Sequence, residues 1–269
     1  MKKKKSWKVV LSKRDRVLLR DLFYTKGLDL DLLMDNHFKN LHKSTVVKRI
    51  QRLVNGHYID KRAHFNGMAL KPLYNITENG LLEVEDYLSG KIIRKELKCS
   101  NPVHDLCVAK IYFKLIKSRS LNSLKLENEI QGIDHGDLSE QFDPFKRLNS
   151  DIFLSLLIEN QEFKVAVEYE RSHKDSGRWS EYLLNYHLEE NVDVVLYVCD
   201  NPTILKGLMR IETELAQRYT QKIYFCLVKE FFKHSSSATF KNISGKTFTL
   251  NFHDYDYQQA TNALVAKTF

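Results

Sequence analysis

The 269-residue sequence contains little glycine, proline or cysteine. Its ten glycines and four prolines exclude collagen-like and low-complexity chains. Its four cysteines, Cys99, Cys107, Cys199 and Cys226, are too far apart for CxxC zinc ligands and too few for a disulfide scaffold of this length. No stretch approaches the roughly 18 apolar residues of a membrane span, and none follows Lys2–Lys5 as in a signal peptide. We therefore expect a cytoplasmic chain that contacts no membrane.

Charge is distributed unevenly along the sequence. Residues 1–100 hold 22 lysines and arginines against 11 aspartates and glutamates, a net charge of +11, whereas the remaining residues hold 20 against 23, a net charge of −3. The length allows two hydrophobic cores, because domains commonly contain ~100–150 residues. A basic first third indicates a polyanionic partner, and the slightly acidic remainder indicates a separate role.

Residues 1–90 have the pattern of three helices followed by a β-hairpin. Ser12 is the predicted N-cap of the first helix, and the third helix, over residues 45–53, is amphipathic. This order predicts a winged helix-turn-helix domain that binds double-stranded DNA, although a basic helix face can also be no more than a solvated face. The expected DNA contacts are polar or cationic residues of the third helix and of the hairpin: Lys43, Ser44, Thr45, Lys48, Arg49, Arg52, Lys61, Arg62 and His64.

The rest of the chain predicts a linker and an α/β domain. Residues 91–100 are charged and aperiodic, so they are the predicted linker, and residues 101–269 form the second domain. Residues 131–149 have little periodicity and predict a loop. Strand-like and helical segments then alternate and predict a central mixed sheet: strands over 152–158, 163–170, 192–199 and 222–228, and helices over 178–189 and 203–219.

The second predicted strand ends in two carboxylates. Because side chains two apart on a strand point to the same face, Glu168 and Glu170 lie side by side. Folding the hairpin symmetrically about the bond between Asn160 and Gln161 places Asp151 opposite Glu170, with Cβ atoms roughly 4.5–5.5 Å apart. Three converging carboxylates would suit Mg²⁺ or Mn²⁺, which prefer oxygen ligands. The alternative interpretation is the polar face of an edge strand.

These acids also carry a family resemblance. Asp151 followed 17 positions later by Glu168-Tyr169-Glu170, with a helix before and a strand–helix–strand unit after, resembles the PD-(D/E)XK restriction-endonuclease-like fold in its variant with Glu in place of the motif lysine. With the N-terminal winged helix and the run Val167–Ser172 leading to Tyr186, the sequence is similar to the replication-relaxation family and its MobC-type plasmid relaxases. The similarity extends over roughly residues 12–230.

The resemblance implies a metal-dependent endonuclease, a relaxase that nicks one DNA strand at a plasmid origin of transfer to start conjugative mobilisation. It implies Mg²⁺ or Mn²⁺ bound by Asp151, Glu168 and Glu170, which are then also catalytic residues, together with Lys174. A coupling protein and relaxosome accessory proteins are the implied further partners. The sequence does not indicate an oligomeric state.

Two departures from the family pattern affect this expectation. Ser150 stands at the position of the motif proline, and no lysine follows Glu168 at two residues, which leaves Lys174 or Arg178 to supply the cation. The missing lysine supports an alternative function, a non-catalytic DNA-binding replication regulator or relaxosome accessory protein with a degenerate nuclease fold. A restriction enzyme that cuts both strands is a third possibility.

Several other residues carry weaker signals. Glu129 is either a further carboxylate of the site or a solvated acid, and the solvated interpretation is favoured. Tyr182 and Tyr186, one helical turn apart, are either candidate covalent nucleophiles or core residues, and the core interpretation is favoured. His173 is expected at the surface near Glu170, and Trp179 is expected to pack in the core.

Overall fold

A computed structural model describes residues 9–65, 69–94, 100–136, 139–254, 257 and 259. It shows a mixed α+β protein with one large mixed sheet. The chain divides into two compact units, the first of residues 1–110 with 131–136 and the second of residues 111–130 with 137–269. Within the described residues, no helix is both long and apolar enough to cross a bilayer.

The first unit contains three helices followed by an antiparallel hairpin. Its elements, in chain order, are α1 (Lys13–Tyr24), β1 (Leu28–Asp29), α2 (Leu30–His37), α3 (Lys43–Asn55), β2 (Ile59–Phe65), β3 (Leu70–Ile76), α4 (Glu78–Leu82), a 3₁₀ turn (Glu85–Tyr87) and β4 (Lys91–Ile92). Strand β3 lies between β1 and β2 and is antiparallel to both. Ser12 caps α1 as the sequence predicts, in a reciprocal pair of hydrogen bonds with Asp15.

Helix α3 is attached to α1 by an ion pair that includes a buried carboxylate. Asp15 is fully buried and accepts a hydrogen bond from Arg49 Nε at 3.0 Å, and Arg49 Nη2 also contacts this carboxylate. The same Nη2 donates to the carbonyl of Val10 at 2.9 Å. Burial by itself would raise the pKa of Asp15, but hydrogen bonds from Arg49 and Ser12 outweigh it and lower the pKa. Arg49, one of the predicted DNA contacts, is therefore committed to holding α3 in place.

The remaining elements include two helices that contain unit boundaries, α5 (Pro102–Leu115) and α6 (Glu127–Gly132), and continue into the second unit. They are α5 (Pro102–Leu115), β5 (Leu121–Leu126), α6 (Glu127–Gly132), β6 (Ile133–Asp134), α7 (Ser139–Leu148), β7 (Ile152–Ile158), β8 (Gln161–Glu170), α8 (Ser176–Leu188), β9 (Val194–Cys199), α9 (Pro202–Leu215), β10 (Ile223–Leu227), α10 (Val228–Lys233), β11 (Ser237–Lys241) and β12 (Thr247–Asn251). Strand β4, which lies inside the predicted linker, pairs with β6. Residues 95–99 of that linker lie outside the described residues.

Seven strands of the second unit form one sheet in the order β12-β11-β10-β9-β8-β7-β5. Strands β5, β7 and β8 form an antiparallel meander, β8, β9 and β10 are parallel, and β11 and β12 are antiparallel again. Helix α8 connects β8 to β9, and α9 connects β9 to β10, as parallel neighbours require. One face of the sheet packs against α7, α8 and α9 through a cluster that includes Phe153, Ala166, Val195, Leu183 and Leu208.

The predicted loop over residues 131–149 is wrong, because helix α7 occupies its second half. Phe142 and Phe145 are fully buried, and their rings lie 5.1 and 4.6 Å from that of Phe153. Pro144 lies inside this helix. Proline is disfavoured in the interior of a helix because it lacks a backbone N–H, so the sequence pattern argues against a helix here. Packing of the two phenylalanines on the sheet outweighs this local preference.

We predict that Arg49→Met destabilises the first unit by about 3 kcal/mol at pH 7, because it leaves Asp15 as an uncompensated buried charge. The lowered pKa of Asp15 means that the stabilisation is present above the ordinary pKa of 3.8 and is lost as the pH falls through the folded-state value. The difference between the variant and the wild type should therefore shrink in acid. Urea unfolding at pH 7 and pH 3 measures it.

Arg52→Met is the matched control for this prediction. Arg52 lies one turn further along α3, is exposed, and makes no ion pair among the described residues. Its replacement should change the free energy of unfolding by less than about 0.5 kcal/mol. Equal losses in the two variants would contradict the role given to the Asp15–Arg49 pair.

Candidate functional site

The register of the β7–β8 hairpin is set by a two-residue turn. Glu159 and Asn160 both have positive φ angles, 50° and 64°, and the flanking residues Ile158 and Gln161 pair directly. Turns with two positive φ values are favoured in hairpins because their twist matches that of the strands. The pairing continues to Ile152 opposite Val167.

The predicted partner of Asp151 is therefore wrong. The observed register, extended by one residue, places Asp151 opposite Glu168 and not opposite Glu170. The observed register differs from the predicted one by two residues, and a shift of two residues leaves each side chain on the same face. The three carboxylates therefore still share one face of the sheet. The Tyr169 backbone N–H donates to Asp151 Oδ2 at 2.8 Å, and the Asp151 backbone N–H donates to the Glu168 carboxylate.

The acidic residues do not lie on an edge strand. Strand β8 is paired on both sides, with β7 and with β9, and Glu168 lies opposite Tyr197 of β9. The face that carries the acids also carries Ala166, which packs in the core beneath α8 and α9. The interpretation of Glu168 and Glu170 as the solvated face of an edge strand is thus excluded by the pairing.

Glu168 is held by a chain of hydroxyl groups. The Tyr186 hydroxyl donates to Glu168 Oε1, and Ser150 Oγ lies 2.7 Å from the same hydroxyl. Burial and the neighbouring charge of Asp151 raise the pKa of Glu168 well above its ordinary value, whereas the bond from Tyr186 and the charge of Lys174 oppose this rise. Burial and the Glu168 charge also raise the pKa of Tyr186, so the phenol stays protonated and remains a donor.

Glu170 has different partners from Glu168. Its Oε2 accepts from Lys174 Nζ at 2.6 Å and from Trp179 Nε1 at 3.2 Å, and its side chain is only 7% exposed. Lys174, one of the two cations that the sequence offers in place of the motif lysine, therefore contacts Glu170. Trp179 is buried as expected but also donates to the site, and His173 is exposed with its ring 4.6 Å from that of Trp179.

Glu129 is a buried acid and not a solvated one. It is 5% exposed and accepts from Lys125 Nζ at 2.6 Å. Lys125 pairs with Phe153, two residues from Asp151, so Lys125 and Asp151 lie on the same face of the sheet. The acidic face thus carries a second lysine, which is paired with Glu129.

Carboxylate oxygens are suitable ligands for Mg²⁺ or Mn²⁺, so the donor chemistry of Asp151 and Glu168 fits such an ion. Burial and the neighbouring charge of Asp151 raise the pKa of Glu168, so a cation bound by both carboxylates would favour their charged forms. Within the described ranges, no group of three or more His, Cys, Asp or Glu side chains is arranged to hold a metal ion. Asp151 and Glu168 are therefore the pair that fits, while Glu170 is bonded to Lys174.

The residues expected to contact DNA differ in their accessibility. Six of them are exposed, on α3 and β2: Lys43, Ser44, Thr45, Lys48, Arg52 and Lys61. Arg62 is partly covered and pairs with Asp60 at 3.0 Å, Arg49 is bonded to Asp15, and His64 is buried. The exposed face of α3 also includes the apolar Val47, which is 41% exposed. The charge pattern of the sequence does not identify this residue.

The chain matches no protein-family model, no curated protein and no solved structure. Sequence reasoning placed Asp151, Glu168, Glu170 and Lys174 near one another but missed the donors that hold the acids. Ser150 was visible only as a departure from the family proline. Tyr186 had a signal in its four-residue spacing from Tyr182, which favoured a core position, and Tyr186 is buried as that interpretation expects.

We predict that Glu168→Gln is more stable than the wild type at pH 8 but not at pH 4. The folded wild type retains the Glu168 proton to a higher pH than the unfolded chain, so its stability falls as the pH rises from 4.5 through the raised pKa. Glutamine cannot ionise, so the variant avoids a loss of about 1.4 kcal/mol for each unit by which the pKa is raised. Urea unfolding at both pH values measures this, with Glu181→Gln on the exposed side of α8 as control. Parallel pH profiles of wild type and variant would contradict it.

We further predict that Tyr186→Phe lowers stability by about 1–3 kcal/mol, because it removes the buried hydroxyl that bonds both the Glu168 side chain and Ser150 Oγ. Among the described residues, the Tyr182 hydroxyl bonds only to the exposed Arg178, so Tyr182→Phe is the matched control and should change stability by less than about 0.5 kcal/mol. Thermal melts of the two variants at pH 7 provide the comparison. Equal melting temperatures of the two variants would show that the contact between Tyr186 and Glu168 does not stabilise the fold.

Proposed function

We propose that this chain is a metal-dependent DNA endonuclease of the PD-(D/E)XK type, a relaxase that nicks one strand at a plasmid origin of transfer. In this proposal the first unit is a winged helix-turn-helix domain that binds the duplex, and the second unit cuts it. The sequence similarity to the replication-relaxation family supports the plasmid origin, and with it a coupling protein and relaxosome accessory proteins as partners.

The observation that carries the proposal is the position of Asp151 and Glu168 at the ends of two adjacent central strands. Helix α5 and strand β5 come first, β7 and β8 bring the two acids together, and β8, α8 and β9 form a parallel strand–helix–strand unit. This order agrees with what the family resemblance implies. Burial and the neighbouring charge of Asp151 raise the pKa of Glu168, and a carboxyl group with a raised pKa beside a second carboxylate is typical of functional sites.

The first unit supports a role in DNA binding through the exposed side of α3. Lys43, Lys48 and Arg52 are exposed cations on this helix, and Ser44 and Thr45 provide hydroxyl groups at its first turn. Cations of this kind neutralise phosphates, whereas hydroxyls and the Val47 methyls would contact base edges in the major groove. Arg49 and His64 have no part in this contact.

In the second unit, Asp151 and Glu168 would hold the divalent ion, and Glu168 would release its proton to do so. A bound ion would lower the pKa of water to give a nucleophile at neutral pH and would neutralise charge on the phosphate. Tyr186 and the backbone N–H of Asp151 fix the direction of the Glu168 carboxylate. Lys174 supplies the positive charge that a motif lysine would provide, and Glu170 and Tyr182 hold it in place.

The test is a nicking assay with supercoiled plasmid that carries the DNA flanking the gene of this protein. Purified protein with Mg²⁺ or Mn²⁺ should convert the plasmid to open circles, and EDTA should prevent this. Asp151→Asn should reduce the rate by more than about 100-fold because it removes a ligand and a transition-state charge partner. Glu181→Gln, which alters an exposed acid on α8, should cut like the wild type. Equal cutting by Asp151→Asn would overturn the proposal.

A second candidate function is a DNA-binding regulator without nuclease activity. The specific observation in its favour is Glu170 at the position of the motif lysine, together with the lack of a three-carboxylate group among the described residues. Tight binding to the origin with no nicking in any divalent metal would establish this function. Linear product in place of open circles would instead indicate a restriction enzyme.

A further inference from the structure

Three residues at the beginning of α8 form a cationic cluster beside the acids. Lys174 precedes the helix, and Arg178 and Tyr182 lie on successive turns of it. Lys174 Nζ is 5.0 Å, and the guanidinium carbon of Arg178 is 5.6 Å, from the centre of the Tyr182 ring. Arg178 Nε and Nη2 donate to the Tyr182 hydroxyl at 3.4 and 3.2 Å. Two cations thus approach one aromatic ring.

The two cations differ in how they are neutralised. Lys174 forms an ion pair with the nearly buried Glu170, at 2.6 Å. Arg178 is exposed, and its guanidinium makes no ion pair among the residues that the structure describes, since Asp175 accepts only from the Arg178 backbone N–H. Among the described residues, the guanidinium donates hydrogen bonds to the Tyr182 hydroxyl alone. The guanidinium therefore has unused donors at the surface, next to a second positive charge.

We infer that Lys174, Arg178 and Tyr182 bind a backbone phosphate of a DNA strand. A guanidinium donates two parallel hydrogen bonds to a phosphate, for which its planar donor arrangement is well suited. The Tyr182 hydroxyl accepts from Arg178 and keeps its own proton for a phosphate oxygen. An anion at this position also relieves the repulsion between the two cations.

Aromatic groups near the cluster favour a nucleic-acid strand over an isolated anion. His173 is exposed, and its ring lies against the buried Trp179, which donates to Glu170. An exposed ring beside cations is typical of surfaces that bind single strands, because a base can stack on the ring of His173 while a phosphate contacts the cations. The inference rests on the proposed nuclease function, because that function is what brings DNA to this surface. It names an unpaired strand as the ligand next to the acids.

The test measures binding of a fluorescein-labelled, ten-nucleotide single-stranded DNA to the full-length protein in EDTA. Arg178→Gln is the variant of choice, because Arg178 is exposed and its guanidinium bonds to Tyr182 alone among the described residues, whereas Lys174→Gln would leave Glu170 without its cation. We expect Arg178→Gln to weaken binding about tenfold, through loss of charge-assisted hydrogen bonds. The slope of log affinity against log salt concentration should fall by about 0.7.

Arg210→Gln is the matched control. Arg210 is exposed on α9 and makes no ion pair among the described residues, so this variant loses the same charge from the same unit. It should bind within twofold of the wild type. Arg178→Lys retains the charge without the planar donors, and it should keep the salt slope but bind less tightly than the wild type.

The outcomes separate this inference from the proposed function. No binding by the wild type, or equal losses in Arg178→Gln and Arg210→Gln, would overturn the phosphate site whatever the nicking assay shows. Selective loss in Arg178→Gln supports the site even where no plasmid is nicked, because EDTA prevents any metal-dependent cleavage during the measurement. Thermal melts of each variant identify any that fail to fold, and Arg178→Lys then provides the decisive comparison.

Discussion

The turn at Glu159 and Asn160 determines which residues face each other across the central hairpin. Its two positive φ angles restrict the connection to two residues, so Ile158 pairs with Gln161 and every later pair follows. Asp151 is therefore opposite Glu168. Because β7 and β8 are both internal strands, this register also decides what lies under α8. A one-residue slip would turn Asp151 to the other face of the sheet and would separate it from both glutamates.

The acids are placed where charge is expensive, and the surrounding residues limit the cost. Glu168 lies largely covered beside Asp151, and a hydroxyl chain from Ser150 through Tyr186 satisfies one of its oxygens. Lys174 and Trp179 satisfy Glu170. The hydrogen bond from Tyr186 and the charge of Lys174 lower the pKa of Glu168, but burial and the charge of Asp151 outweigh them, so the pKa stays well above its ordinary value. Proteins retain such strain mainly where a ligand or a reaction uses it.

In the first unit, one cation of an apparent binding surface stabilises the fold instead. Arg49 belongs to the same helix as Lys48 and Arg52, and a sequence pattern cannot tell them apart. The fully buried Asp15 decides the matter, since an unpaired carboxylate in that position would be strongly destabilising. The ion pair orients α3 so that Lys48 and Arg52 remain exposed. The basic surface is consequently smaller than the charge count suggests.

The sequence by itself determined the strands and helices between residues 152 and 228, the N-cap at Ser12, the shared face of Glu168 and Glu170, and two nearby cations, Lys174 and Arg178. These follow from periodicity and local hydrogen bonding, which act within a few residues. Only the tertiary structure decided the partner of Asp151, the helix across Pro144, and the hydrogen bonds from Ser150, Tyr186 and Trp179. Those depend on turn dihedrals and on packing between segments far apart in the chain, where burial energy outweighs local preference.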